Sequence, residues 1–373
     1  MTVLYVAAGA ALALLVLDDA FESVVLPRRV TRPYRLARVF YRAAWRLWLT
    51  LTDRVPSARY RQAILGAFGP LSLLALFAFW AGGLVLGFGF LHHAAAPDGR
   101  TFGESVYLSG TTFTTLGYGD ITPTTPMGRT LSVVEALLGF GFLAVVIGYL
   151  PVFYQAFSRR EVTISLLDAR AGSPPVAGEL IARQLPCRDD GLDRILAEME
   201  RWAAEVLEGH LSYPVLSYYR SQHDNQSWLA ALTCAIDAAA LLLTVTEGCD
   251  HRQARLTFAM ARHVLVDVAL VLRQPPVAPP QDRLPPDRLA ELLKGLAAAG
   301  VKVRDDDAAQ KKLSELRGLY EPFAQALANY LRLSLPPVWP PAGGPDNWQT
   351  SAWMRRAGSL ATLAPEAQDD HFV

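Results

Sequence analysis

The stretch Thr111-Thr112-Phe113-Thr114-Thr115-Leu116-Gly117-Tyr118-Gly119-Asp120 decides how this 373-residue chain is read. A run of threonines leads into two glycines at alternate positions, 117 and 119, and glycine takes positive φ without the steric cost other residues carry. The flanks fix the setting. Residues 63–91 carry no charge, and at ~1.5 Å per residue they exceed the ~30 Å hydrocarbon thickness of a bilayer. Residues 130–157 form a second such stretch, interrupted only by Glu135 and holding Pro151 near its end. The quoted stretch therefore lies in a loop, 92–129, between two membrane spans.

Working outward, 1–17 is apolar but short, and it reaches bilayer length only by running through Asp18, Asp19 and Glu22 toward Pro27. Nothing before Asp18 is charged and Pro27-Arg28-Arg29 follows, so the segment reads as a retained third span rather than a cleaved leader. Between positions 27 and 62, ten arginines (28, 29, 32, 35, 38, 42, 46, 54, 59 and 61) face the single acid Asp53. The positive-inside rule puts them in the cytoplasm. The N-terminus is then outside, the 92–129 loop lies on the outer face, and everything after Ser158-Arg159-Arg160 is cytoplasmic. Arg35, Arg38, Arg42 and Arg46 recur at helical spacing. A voltage sensor would need a surrounding bundle of spans, so they read as an interfacial amphipathic helix facing anionic lipid across Arg28 to Arg61, anchored by Trp45 and Trp48.

Composition agrees with a multi-pass protein of the cell membrane: 51% of residues are hydrophobic and 19% charged. Lys+Arg and Asp+Glu balance at 35 each, which argues against a nucleic-acid partner. Cys187, Cys234 and Cys249 are too scattered for a disulfide framework and fit a reducing compartment. Arginine-heavy usage fits a GC-rich bacterium, hence its inner membrane.

The stretch 111–120 resembles the selectivity-filter signature of potassium channels. The resemblance is to bacterial members of the family, here with one extra N-terminal span, and covers the unit of span, pore helix, filter and span over roughly 63–157. It implies an all-α membrane fold, a homotetramer, passive potassium flux and no enzymatic activity, with K+ as transported ion rather than cofactor. Thr115, Leu116, Gly117, Tyr118, Gly119 and Asp120 take the filter positions. Leu116 stands where the family usually has Val, and Thr111 where some bacterial members have a Glu that partners the filter Asp.

The residue types make sense of this role. A potassium ion sheds water only if other oxygens replace it, and four copies of a loop can offer rings of oxygens from the carbonyls of Thr115, Leu116, Gly117 and Tyr118 and the Thr115 hydroxyl. Carbonyls that all face one axis demand alternating backbone handedness, which Gly117 and Gly119 permit. Tyr118 is expected to turn away and pack on the pore helix, with Asp120 at the outer mouth. That helix is predicted over Phe102 to Phe113, started by a Thr101/Glu104 capping box, its C-terminal dipole end favouring a cation. Gly139 matches the family's hinge glycine, although Gly141 and Gly148 compete and close helix packing explains all three equally; Pro151 marks the gate region. Glu135 either faces the pore helix and bonds Thr111, Thr112 or Thr114, bracing the filter, or faces the cavity and concentrates cations.

The expected organisation is an N-terminal transmembrane helix (1–26), a basic interfacial segment (27–62), a pore domain (63–157) and a helical cytoplasmic domain (158–373). In the last, helices are predicted near 189–209, 226–247, 252–273, 286–300, 307–333 and 347–361, with Pro-rich connectors at 275–286 and 336–345. The apolar runs 228–248 and 256–272 contain Asp237, Arg262, His263 and Asp267, so they read as a buried hairpin rather than spans. No Gly-x-Gly-x-x-Gly follows a strand, and Cys249, His251, His223 and Cys234 lack a zinc spacing; the ligand of this domain is unknown. Against the potassium-selective channel stand two rivals: a cation channel of relaxed selectivity, and a membrane-anchored signalling or scaffold protein with a silent pore.

Overall fold

A computed structural model describes residues 1–24, 35–96, 99–184, 191–222, 225–247 and 251–340, the side chain of 251 excepted. It divides into two compact units, Met1–Gln155 and Ala156–Val373. Regular structure among the described residues is helical, apart from one isolated antiparallel bridge between Thr246 and Val303.

The first unit holds α1 (Thr2–Val24), α2 (Leu36–Thr52), α3 (Ala58–Ala94), α4 (Phe102–Phe113) and the larger part of α5 (Pro126–Ala171). Helices α1, α3 and α5 are each long and apolar enough to cross a membrane. Small residues let α1 lie directly on α3. A Cβ on Gly9 would come within 2.6 Å of the Gly87 carbonyl, and one on Gly83 within 2.8 Å of Val16. Close backbone approach of this kind substitutes for the hydrophobic drive that lipid does not supply.

Asp19, at the end of α1, is buried. It accepts a hydrogen bond from Trp80 Nε1 (2.8 Å) on α3 and from the backbone N–H of Ala37 (3.0 Å) in the first turn of α2. The acid that extends the first span thus caps a second helix from a distance, satisfying one of its orphan amides. Trp45 is buried with its ring 4.7 Å from that of Phe68, and Trp48 Nε1 donates to the Ile64 carbonyl at 3.0 Å. Both pack on α3, because α2 lies against it with the aromatic face inward and leaves Val39, Leu47 and Leu51 exposed. Arg28, Arg29 and Arg32 lie outside the described residues.

The second unit contains the end of α5, α6 (Ala177–Gln184), α7 (Gly191–Ser212), a 3₁₀ turn (Pro214–Tyr218), α8 (Trp228–Thr244), α9 (His251–Val271), α10 (Pro286–Ala298), α11 (Asp307–Gly318) and α12 (Glu321–Leu331). Every residue of α8 except Leu243 is buried, as expected of a helix apolar on all sides that forms a core. The buried hairpin of α8 and α9 takes the place that two further spans would have had. Asp237 interrupts α8 for a structural reason: it accepts hydrogen bonds from Tyr320 and from Arg283, which also reaches Glu321 (3.1 Å) and the Pro336 carbonyl (2.8 Å). This network ties both Pro-rich connectors to the core helix.

Two sequence expectations need correction here. Helix α6 was not expected, and the predicted helix 307–333 is two helices. Gly318 ends α11, and Pro322, which has no N–H to continue a helical ladder, sits in the first turn of α12. The predicted helix 347–361, Cys187, Cys249 and His223 lie outside the described residues. Cys234 is a buried free thiol, and among the described residues no three His, Cys, Asp or Glu side chains are grouped to hold a metal.

Arg160, read from sequence only as a basic boundary marker, is buried in this unit. Its guanidinium donates to the carbonyls of Leu216 and Tyr219, both at 2.9 Å, while its own carbonyl accepts from Trp202 Nε1. His210 on α7 is buried with its ring 4.6 Å from Trp228 and Nδ1 donating to the Val206 carbonyl at 2.7 Å. Burial, and then the charge of Arg160, push its imidazole from the ordinary 6.5 down to about 3. The unfolded chain therefore binds one more proton than the folded one between those values. Stability is fully present above pH 6.5 and falls below it, by ~1.4 kcal/mol per pH unit. Amide exchange of α7 in the full chain is expected to quicken from neutral to mildly acidic pH, and His210→Phe is expected to flatten that slope. An undiminished slope in the variant would remove His210 as its source.

Candidate functional site: the loop between α4 and α5

Thr101 starts α4 through a reciprocal cap: its hydroxyl accepts from the Glu104 N–H (3.3 Å), while Glu104 accepts from the Thr101 N–H (2.8 Å). The helix runs from Phe102 to Phe113, the bounds read from sequence. At its other end the Thr111 carbonyl accepts from two amides at once, Leu116 N–H at 2.9 Å and Gly117 N–H at 3.2 Å. That shared acceptor turns the chain out of the helix and into the loop.

The loop backbone then alternates. Thr115 has φ +59°, Gly117 +54° and Gly119 +78°, while Leu116 and Tyr118 between them stay out of the left-handed region. Thr115 is the unexpected member, since a β-branched residue with positive φ is a genuine outlier that surrounding structure must hold in place. Residues 114–120 are all exposed. Among the described residues, the carbonyls of Thr115, Leu116, Gly117 and Tyr118 accept no hydrogen bond. Four polar oxygens per chain are thus left free for something outside it.

The surroundings hold this loop from three sides. Tyr107 on α4 donates to Asp120 at 3.0 Å, tying the loop's far end to the helix that precedes it. Arg100 donates to the Thr122 carbonyl at 2.9 Å, and Thr125 Oγ1 to that of Ala95 at 3.0 Å. Behind α4, Glu135 on α5 is wholly buried and hydrogen-bonds Ser109 of α4 and His92 of α3. Still on α5, Gly139 passes so close to the end of α4 that a Cβ would stand 1.9 Å from the Phe113 carbonyl oxygen.

Several expected contacts take another form. Glu135 does meet α4, but its partners are Ser109 and His92. Thr111 Oγ1 folds back to Leu108 O (3.0 Å) and Thr114 Oγ1 to Gly110 O (2.7 Å), as helical threonines do when no better acceptor is in reach. Thr112 is half-buried, and its carbonyl accepts from the Thr115 N–H. Tyr118, expected to pack on α4, is 69% exposed in the single chain. Pro151 lies inside α5, which is helical through it, and Gly141 and Gly148 have open space at their Cβ positions.

Sequence reading missed Tyr107, Ser109 and His92. Ser105 and Ser109 share one face of a predicted helix, and Ser109 stands on it between Thr101 and the 114–120 loop. His92, closing an uncharged span, was visible as a polar residue without an assigned partner.

Residues 74–156 match the family model described as "Ion channel". Protein LctB of Geobacillus stearothermophilus is 35% identical over 84 residues, 18% of this chain and 62% of that protein. Protein LctB of Bacillus caldotenax is 46% identical over 44 residues, 12% of this chain and 32% of that one. Two pore potassium channel c of Oryza sativa subsp. japonica is 34% identical over 110 residues, 27% of this chain and 24% of that protein. The chain thus spans less than two thirds of the length of each of these relatives. No solved structure matches it. Its residues 74–156 are thus similar to the ion-channel family. Among the relatives that share sequence with the chain is a potassium channel.

Proposed function

We propose that the chain is one quarter of a potassium-selective channel, four copies surrounding one axis and passing K+ down its electrochemical gradient. The observation that carries this reading is the alternation of handedness at Thr115, Gly117 and Gly119, with unpaired carbonyls between. Alternating left- and right-handed residues turn successive carbonyls to the same side, and rings of such carbonyls replace the hydration shell of an ion. One loop supplies one quarter of each ring. The broad exposed face of α5, including Leu137, Phe140, Leu143 and Ile147, offers the apolar surface that neighbouring copies and lipid would cover. In this reading Thr115, Leu116, Gly117 and Tyr118 coordinate K+, Asp120 marks the outer mouth, Glu135 braces α4 from behind, and Gly139 and Pro151 lie on the gating helix. The N-terminus is outside and the second unit cytoplasmic, in a bacterial inner membrane, with Arg28 to Arg61 toward anionic lipid.

Purified full chain in liposomes tests this directly. Under opposed potassium and sodium gradients the reversal potential is expected to follow potassium. A reversal potential indifferent to which cation is exchanged would favour a non-selective pore, and no flux at all would favour a silent scaffold.

A further inference from the structure

The hydrogen bonds behind α4 fix where a proton sits. Ser109 Oγ lies 2.8 Å from the carbonyl of Val85 on α3 and is also hydrogen-bonded to Glu135 Oε1. Glu135 Oε2 lies 2.9 Å from His92 Nε2. All three side chains are buried, and Glu135 and Ser109 have no exposure at all. A carbonyl can only accept, and a serine has one proton to give, so the Ser109 hydroxyl is committed to Val85. Toward Glu135 its oxygen can then only accept, which places a hydrogen on Glu135 Oε1. Oε2 is in consequence the carbonyl oxygen of a carboxylic acid, and His92 must carry its hydrogen on Nε2 and donate.

The reverse assignment fails. With the acid proton on Oε2, the Oε1 carbonyl would need Ser109 as donor, and Val85 would lose it. An ionised Glu135, even paired with a protonated His92, would need the same Ser109 proton, so one hydroxyl could not serve both Oε1 and the Val85 carbonyl. Among the described residues no other charged side chain is hydrogen-bonded to the group, and His93, the adjacent imidazole, faces Tyr5 and Phe102 instead.

We propose that Glu135 is a neutral carboxylic acid which, by donating to Ser109 and accepting from His92, clamps the pore helix to both neighbouring spans, with Ser109 and His92 as positioning residues for the loop beyond. The consequence for flux rests on the channel reading above; the protonation state does not.

Two measurements on the full chain in lipid vesicles test it. The infrared difference between wild type and Glu135→Gln is expected to contain the carbonyl band of a protonated carboxyl group at neutral pH. A carboxylate pair in its place overturns the proposal. Glutamine reproduces the protonated acid, its amide donating to Ser109 and its carbonyl accepting from His92, so Glu135→Gln is expected to keep potassium flux within about twofold. Glu135→Ala, which orphans buried partners, is expected to lose roughly tenfold or more. Equal losses in the two variants overturn the clamp. If wild type conducts nothing, the channel reading fails and the infrared band still decides the protonation.

Discussion

Gly139→Ala is expected to abolish most potassium flux and to lower the thermal stability of the membrane unit. The added Cβ would stand 1.9 Å from the Phe113 carbonyl oxygen, 2.8 Å from its carbon and 3.1 Å from its Cα. Since folded proteins keep such contacts beyond 3.0 Å, α4 and α5 must part by 3.0 minus 1.9, about 1 Å. The atom in the way is backbone, so no rotamer relieves it. Phe113 is the last residue of the helix from which Thr114 to Asp120 hang, so the displacement passes straight into the loop. In the proposed channel the loop carbonyls would work at ion-contact distances, and a loss of roughly tenfold or more in flux is the expected scale. The sign of the stability change separates this from a hinge. A glycine conserving only flexibility would, on replacement by alanine, stiffen and stabilise the helix by up to ~1 kcal/mol. Gly82→Ala in α3, where nothing lies within 4 Å of the new atom, is the comparison variant. A stabilised Gly139→Ala that has lost flux would establish the hinge and sink the packing argument.

The contrast between Gly139 and Glu135 shows what was legible in the sequence. Helix α4 could be placed to the residue because its signals are local: a capping box at one end and a break into glycine-alternating loop at the other. Spans are legible for a similar reason, since length and lack of charge are properties of a continuous segment. Contacts between segments are not written that way. That Glu135 faces α4 follows from its position, but whether it meets Thr111 or Ser109 depends on the axial offset of α5 against α4, which Gly139 sets by its close approach and no local pattern encodes. The same holds for Asp19, whose partners Ala37 and Trp80 stand 18 and 61 residues away. In the second unit, α8 was legible as a buried helix because of Asp237 inside an apolar run. Its partner Arg283 comes from a proline-rich connector, where no periodicity announces a contact. Thr115 was missed for a different reason: residue type argues against positive φ there, and tertiary structure overrides it.

Gly119→Ala is expected to erase the preference for potassium over sodium while leaving an inserted, folded protein. Its φ is +78°, and nothing lies within 4 Å of where the Cβ would go. The whole effect is therefore conformational, costing ~1–2 kcal/mol per chain for an L-residue held left-handed. In the proposed assembly four copies bear that cost together around one ion path. Relief comes most easily by rotating the 118–119 peptide, and that turns the Tyr118 carbonyl out of the row it shares with Thr115, Leu116 and Gly117. A site that has lost one ring of oxygens no longer repays potassium for its water, so selectivity suffers before stability does. Gly99 provides the matched comparison, with φ +69° and equally open space, but it stands before α4 rather than after it. Gly99→Ala carries the same backbone cost and is expected to leave the reversal potential where it was. If Gly119→Ala in liposomes still reverses with the potassium gradient, the row of carbonyls from 115 to 118 is not the path that selects the ion.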